Sequence, residues 1–270
     1  MKKNRKINVI LLALVSVMLF PLTGCDKEEQ STPPELPPVS SMVMNFSEFN
    51  EETKSQSNND TYVHRNLAVV NVALWNTVIT LHLAIPVASF REAFNHTPTL
   101  QSDGSWLWSY DVEVGINTFT ARLHGINNGD TADWNMYISK EGQDSYTDFL
   151  WFTGTSYHNQ EQGEWTLYKS PTENIPYIAI EWFRNDDENA GITYTNIVPD
   201  DSENGGYIAY RKTTDTPYNA FYDIFNKGAD NLTEIQWDTL TRAGRIKDPK
   251  VFGTDEFYCW DSAGADITCP

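Results

Sequence analysis

The chain has 270 residues and a formal net charge of −18, from 19 Lys and Arg against 37 Asp and Glu. That balance excludes a nucleic-acid binder, because phosphate backbones are met by clustered Lys and Arg. An aromatic content of 13% excludes a mostly disordered chain, and the length allows one large domain or two small ones, with a core that needs no staples.

The N-terminus reads as an address. Lys2, Lys3, Arg5 and Lys6 precede an apolar run from Ile7 to Leu22. The run is too short and wrongly flanked for a stable span, so it reads as a leader covering residues 1–24. It ends in Leu22-Thr23-Gly24-Cys25. Those four residues resemble the lipobox of bacterial lipoproteins. The resemblance implies cleavage before Cys25 and lipid modification of that cysteine by palmitate-type chains. Several acyl chains hold a protein on a membrane where one holds it only marginally. Losing the leader removes four positive charges and moves the net charge from −18 to −22. Asp26, Lys27, Glu28 and Glu29 follow. This acidic run is similar to the surface-export signal of Bacteroidetes lipoproteins, which implies an outer-membrane protein facing outward. In enteric bacteria an Asp right after the cysteine implies instead an inner-membrane anchor facing the periplasm.

Residues 25–60 read as the lipidated cysteine and a flexible tether. Pro33, Pro34, Pro37 and Pro38 favour an extended polyproline-like path, and 50–60 is polar. Met42 to Phe46 is expected to dock as a short strand. A single domain is expected over 61–270, beginning near Tyr62.

Residues 63–94 carry the one strong helical pattern. Leu67, Val70, Leu74, Val78, Leu81 and Ile85 recur at three- and four-residue intervals, and Val69, Val72, Ile79 and Leu83 form a second apolar set. A helix apolar over most of its circumference is buried or in a membrane. Asn71, Asn76, Thr77, Thr80 and His82 interrupt it, which favours a buried helix wrapped by sheet over a span. On this reading His82 is a hydrogen-bonded core residue. Pro86 is expected to end or kink the helix, with a short second helix from Val87 to Phe94.

After residue 100 the period changes to two. Trp106, Trp108, Tyr110, Val112 and Val114 alternate with smaller or polar residues, and similar runs recur to Phe257. Asn127-Asn128-Gly129-Asp130, Glu141-Gly142 and Asn204-Gly205-Gly206 punctuate them as turns. About eleven strand candidates without intervening helices predict antiparallel hairpins. The fold class is therefore mainly β (α+β): a long antiparallel meander, forming a curved sheet or partial barrel, packed on one N-terminal buried helix. Eight of the nine tryptophans lie after residue 100; Trp75 is the exception.

Cys259 and Cys269 remain after Cys25 is assigned. In an oxidising compartment they read as a disulfide stapling the C-terminal tail, with free thiols or a metal pair as alternatives.

The search for chemistry is mostly negative. No Gly-x-Ser-x-Gly elbow, phosphate loop or His-Glu-x-x-His is present, and nothing asks for a cofactor. Acid–base material is limited to strand-borne carboxylates: Asp111 and Glu113 on one strand, Glu181, and Asp223. Carboxylates beside aromatics are how glycosidase sites are made, although solvated acids look the same in sequence. Asp200, Ser202 and Asn204 imitate the start of a calcium loop. Arg211 stands where the twelfth-place Glu would be, so metal binding is not expected. Tyr137, Tyr168, Tyr177, Phe183 and Tyr210 fall on the parity opposite the core set and are candidates for a ligand-facing surface.

The preferred reading is a cell-envelope lipoprotein that binds an apolar or carbohydrate ligand without catalysis. The alternatives are a carbohydrate-active hydrolase and a structural lipoprotein of an envelope assembly. Its partners are then the membrane, through the anchor, and a small ligand or an envelope protein.

Overall fold

The computed structural model describes residues 32–47, 61–186 and 188–270. The leader, Cys25 and the acidic run at 26–29 lie outside the described residues. A 3-10 turn at Val39–Ser41 precedes helix α1 (Val63–Ala93). The strands that follow are β1 (Thr99–Leu100), β2 (Trp106–Val114), β3 (Asn117–Asn128), β4 (Thr131–Lys140), β5 (Tyr146–Tyr157), β6 (Gln162–Ser170) and β7 (Glu173–Arg184). Then come β8 (Ala190–Asn196), β9 (Tyr207–Lys212), β10 (Ala220–Asn226), β11 (Asn231–Trp237) and β12 (Gly244–Lys247). A one-turn helix α2 (Pro249–Phe252) leads to β13 (Tyr258–Trp260) and β14 (Asp266–Ile267).

All 14 strands pair in chain order and antiparallel, giving one open meander with β1 and β14 at its edges. The fold class read from the alternation is the one observed, with α1 packed on the sheet. Sequence alternation sets which face is inner. Trp108, Tyr110 and Val112, then Trp134, Met136 and Ile138, then Ile178, Ile180 and Trp182 are all buried at every second position. Each such side chain contributes about 1.5–3 kcal/mol relative to remaining in water. Three pieces are shorter than the candidates counted from sequence (β1, β13 and β14), because two- and three-residue strands leave almost no periodic signal.

Helix α1 crosses the inner face from the last strands to the first. At its start, Val63 and His64 donate their backbone N–H groups to the two carboxylate oxygens of Asp266 on β14, both at 3.0 Å. Near its end, the Tyr110 hydroxyl donates to the Ser89 carbonyl at 2.5 Å. Phe90 meets Trp165 and Phe152 edge-on at 5.4 and 6.1 Å.

The helix departs from the sequence reading in three ways. It runs unbroken through Pro86 to Ala93, so no second helix starts at Val87. Leu83, Pro86, Ser89, Phe90 and Ala93 are buried together around the proline, and tertiary packing supplies what the missing donor loses. The buried stripe is Val69, Val72, Ile79 and Leu83; in the other set Val70, Leu74 and Leu81 are 58, 63 and 73% exposed. Both stripes are apolar, so periodicity could not choose between them. The sheet takes the one flanked by small Ala68, Ser89 and Ala93, which allow close approach. His82 is correspondingly exposed, with Nδ1 at 2.7 Å from the Val78 carbonyl one turn back.

The proline-rich segment is also different. Residues 34–46 form an extended strap built into the inner face instead of a free tether or an added strand. Pro34, Pro37, Ser41, Met42, Met44 and Phe46 are buried. Aromatic side chains satisfy its backbone: Trp165 Nε1 donates to Ser41 O at 3.1 Å. The Tyr194 hydroxyl donates to Met42 O and accepts from Met44 N, both at 2.9 Å. The Tyr222 hydroxyl donates to Asn45 O at 2.5 Å. Buried backbone groups need partners, and a strap running across strands cannot use the ladder, so side chains provide them.

Cys259 and Cys269 are disulfide-bonded, with Cα atoms 5.1 Å apart. The short loop they close contributes roughly 3 kcal/mol by chain entropy.

Candidate functional site

A cleft of about 350 Å³ opens between α1 and strands β7 to β11, within the size range of small-molecule sites. On the helix side it is lined by Leu74, Trp75 and Val78. On the sheet side it is lined by Tyr177, Ile178, Ile224 and Phe225, with Asn196 and Glu203 at the loop end. The floor is polar. Asp248 is 3% exposed and accepts from Thr233 Oγ1 at 2.7 Å and from Asn231 Nδ2 at 3.0 Å. It also accepts from the Val251 amide at 3.1 Å, capping α2. Every oxygen of this buried carboxylate is thus engaged, as a buried charge requires.

Tyr177 reaches the cleft because of a register shift. On β6 and β7, Leu167 pairs with Ile178 but Tyr168 pairs with Pro176, leaving Tyr177 as the extra residue of a bulge. A bulge re-aims a side chain, and here it brings the ring 5.0 Å from that of His82 on α1. Burial pushes the Tyr177 hydroxyl up from its ordinary value, and Asp201 adds to that against the opposing pull of Lys169. The hydroxyl is a neutral donor at any physiological pH.

The five aromatics singled out by parity do not form one surface. Tyr210 is a correction: it lies on the inner face, 9% exposed, against Tyr222 at 5.2 Å and Trp237 at 6.2 Å. It pairs directly with Ile192 and Tyr222, so it shares their face, and the parity count fails across the long loop between β8 and β9. Tyr137 sits on the outer face beside Arg122 and His124. Phe183 is also outward, its ring covering the bare backbone of Gly191. Tyr168 is half-buried against the core. Of the five, Tyr177 alone lines the cleft.

The carboxylates are likewise dispersed. Asp111 and Glu113 are exposed on β2, and Thr120 Oγ1 donates to Asp111 at 2.8 Å. Asp223 is held by Arg211 Nη2 at 3.0 Å. Glu181 is exposed and pairs across the ladder with Glu164. Those two glutamates line a depression of about 560 Å³ with Tyr157, Phe183 and Arg211. That depression is a shallow groove over the strands, whereas the α1 cleft is walled by two elements; the cleft is the better candidate for enclosing a ligand.

Asp200, Ser202 and Asn204 belong to a loop closed on itself. Asn204 Nδ2 donates to Val198 O at 2.7 Å, and Asn204 N to Asp201 O at 3.0 Å. Among the described residues no group of three or more His, Cys, Asp or Glu could hold a metal ion.

Trp75, Phe225, Asn231, Thr233 and Asp248 were not singled out from sequence. Trp75 alone carried a signal, as the one tryptophan outside the strands.

No family model, no curated protein and no solved structure matches this chain. The functional reading therefore rests on the cleft and the N-terminal motif.

Proposed function

We propose that this protein is a cell-envelope lipoprotein, anchored through Cys25 to the outer membrane, that holds an apolar molecule in the cleft between α1 and the sheet. The observation that carries the ligand is the cleft itself: aliphatic and aromatic walls above a hydrogen-bonded polar floor. Such a site takes an apolar body and orients it through one polar end. The hydroxyl–carboxylate pair in the lining of the cleft, Thr233 on Asp248, has its carboxylate already held by Asn231 and the Val251 amide, so binding without catalysis is the function we favour.

Native mass spectrometry of protein purified from membranes tests both halves. The expected result is an N-terminal Cys25 peptide carrying acyl mass and a folded protein retaining an extractable lipid-like adduct. An unmodified N-terminus overturns the anchor. A clean apo mass, together with no saturable uptake of a fluorescent long-chain fatty acid, overturns the ligand.

One observation favours a second reading, carbohydrate binding or hydrolysis on the outer groove. Glu164 and Glu181 face each other there between exposed Tyr157 and Phe183. Binding to a glycan panel that Glu181→Gln abolishes would support it; no binding removes it.

A further inference from the structure

The outward face of α1 carries a mostly apolar seam, with Thr77 within it and Leu67 and Ala88 half-buried at its margins. Val63, Leu67, Val70, Leu74, Thr77, Leu81, Ala84 and Ala88 recur at alternating steps of four and three, the spacing that keeps one stripe on one side of a helix. The four large residues Val63, Val70, Leu74 and Leu81 are each more than half exposed. No Asp, Glu, Lys or Arg occurs between Arg65 and Arg91, in a chain whose net charge is −18. A contiguous exposed apolar stripe of this kind marks an interaction surface.

What covers it can be argued. The seam is about 38 Å long, at 1.5 Å per residue, and about 10 Å wide. Its footprint, about 400 Å² per copy, is half the roughly 800 Å² per partner of a stable interface. The flanking residues Asn66, Asn71, Ala73, Val78, Thr80, Ile85 and Val87 are uncharged, so the ion pairs that select a partner helix are missing. Two strongly acidic copies would also repel each other. A bilayer imposes neither requirement. An acidic protein held against anionic headgroups approaches best through a face that carries no acid.

The helix meets the length and composition of a membrane span, but it cannot be one. Val69, Val72, Ile79, Leu83 and Phe90 on its other side are buried in the protein core, and an open sheet cannot follow it into hydrocarbon. Only contact in the plane of the interface is compatible with this packing.

We infer that the Val63–Ala88 seam lies on the bilayer to which Cys25 is anchored, so that α1 is the membrane-facing surface of the domain. This rests on the lipoprotein reading. Thr32, whose carbonyl accepts from Asn127 Nδ2 at 3.2 Å, is fixed to the fold. The seven residues from Cys25 to Thr32 span at most about 25 Å, so the domain is kept close to the anchor. The seam meets the ligand cleft at Leu74, which lines it. An apolar molecule leaving the bilayer would enter without crossing water.

The test uses the lipidated mature chain with Leu81→Cys, whose thiol is free once Cys25 is acylated and Cys259 and Cys269 are paired. The protein is labelled with an environment-sensitive fluorophore and reconstituted into phosphatidylethanolamine–phosphatidylglycerol vesicles. The expected result is a blue-shifted emission that doxyl-lipids quench, returned to the aqueous spectrum by Val70→Glu in the same chain. A label at Leu240→Cys, in the turn between β11 and β12, should stay aqueous. Leu81 and Leu240 labels with the same aqueous emission overturn the proposal. A Leu81→Cys disulfide between copies overturns it in favour of a dimer. Acyl mass on the Cys25 peptide is read in parallel. If that mass is absent, the anchor has failed, and the same label on protein added to vesicles still decides the seam.

Discussion

The carboxylate of Asp266 caps helix α1, accepting the backbone N–H of His64 at 3.0 Å from 202 residues away. Tyr62, at the usual capping position, makes no side-chain cap, so the end of the chain supplies what the start of the helix lacks. Burial pushes the Asp266 carboxyl up. Hydrogen bonds from Thr61 and from the His64 and Val63 amides, with the His64 ring nearby, outweigh it and hold the group below the ordinary carboxylate range. Asp266→Asn keeps one acceptor oxygen but sets an amide donor against the second backbone N–H, and is expected to cost about 1 kcal/mol, the scale of a lost cap. Because the folded pKa is depressed, this contribution is full above the ordinary carboxylate pKa of about 3.9. It is lost as pH falls through the lower folded value. Urea titrations at neutral pH and at about pH 3 should show the wild-type advantage over the variant shrinking in acid.

Asp266 lies inside the loop closed by Cys259 and Cys269, so cap and staple should be coupled. Replacing both cysteines by Ser is expected to cost about 2–5 kcal/mol. In that background Asp266→Asn should cost less than in the native chain, because the capping strand is no longer held in place. A double-mutant cycle on unfolding midpoints measures the coupling, and strict additivity would disprove it.

Tyr194 holds the strap with two hydrogen bonds through one hydroxyl. Tyr194→Phe leaves the Met42 carbonyl and the Met44 amide without that partner, at a cost of about 1–3 kcal/mol. Burial pushes this hydroxyl far above the ordinary tyrosine value, so it donates at every working pH and the effect should be independent of pH. Limited proteolysis within 32–47 should become faster in the variant while the sheet stays resistant.

Gly154 is required by close packing. A Cβ there would sit 2.2 Å from Cε3 of Trp165 and 2.4 Å from the Glu164 carbonyl. Trp165 also bonds the strap through Nε1, so it cannot swing away freely. Gly154→Ala is expected to destabilise by about 1–3 kcal/mol, read as a lower melting temperature. Gly142→Ala, where nothing lies within 4 Å, tests the left-handed backbone alone (φ 81°) and should cost less.

Trp75 is half-buried at the cleft wall. Trp75→Ala should weaken binding of a fluorescent long-chain fatty acid by about tenfold or more, roughly 1.4 kcal/mol; because Trp75 also packs against the core, affinities are compared under conditions where both proteins are fully folded. Equal affinity in wild type and variant would take the ligand out of this cleft.

The architecture was legible because alternation at Trp106–Val114 and its successors is a local signal, repeated with turn residues between. The side of α1 that packs was not. Val70-Leu74-Leu81 and Val69-Val72-Ile79 are equally apolar, and only the placement of Ser89, Phe90 and Ala93 against the sheet distinguishes them. The strap was hidden for a similar reason. A proline-rich segment gives up ladder hydrogen bonding in any setting, and its partners Trp165, Tyr194 and Tyr222 lie over a hundred residues away. The cleft was the least legible feature. Tyr177 enters through a bulge that appears only in the pairing of β6 with β7, and Asp248 reads as an ordinary helix cap until Thr233 and Asn231 are seen beside it.

The strap also decides how the domain bears load. A pull on the chain upstream of Thr32 is directed along residues 34–46, across the strands. It is shared among Trp165 on β6, Tyr194 on β8 and Tyr222 on β10. Those contacts are stressed together in shear, and no edge strand is peeled away one hydrogen bond at a time. A tether that traction would otherwise use to unravel the fold from one end instead grips the middle of the sheet.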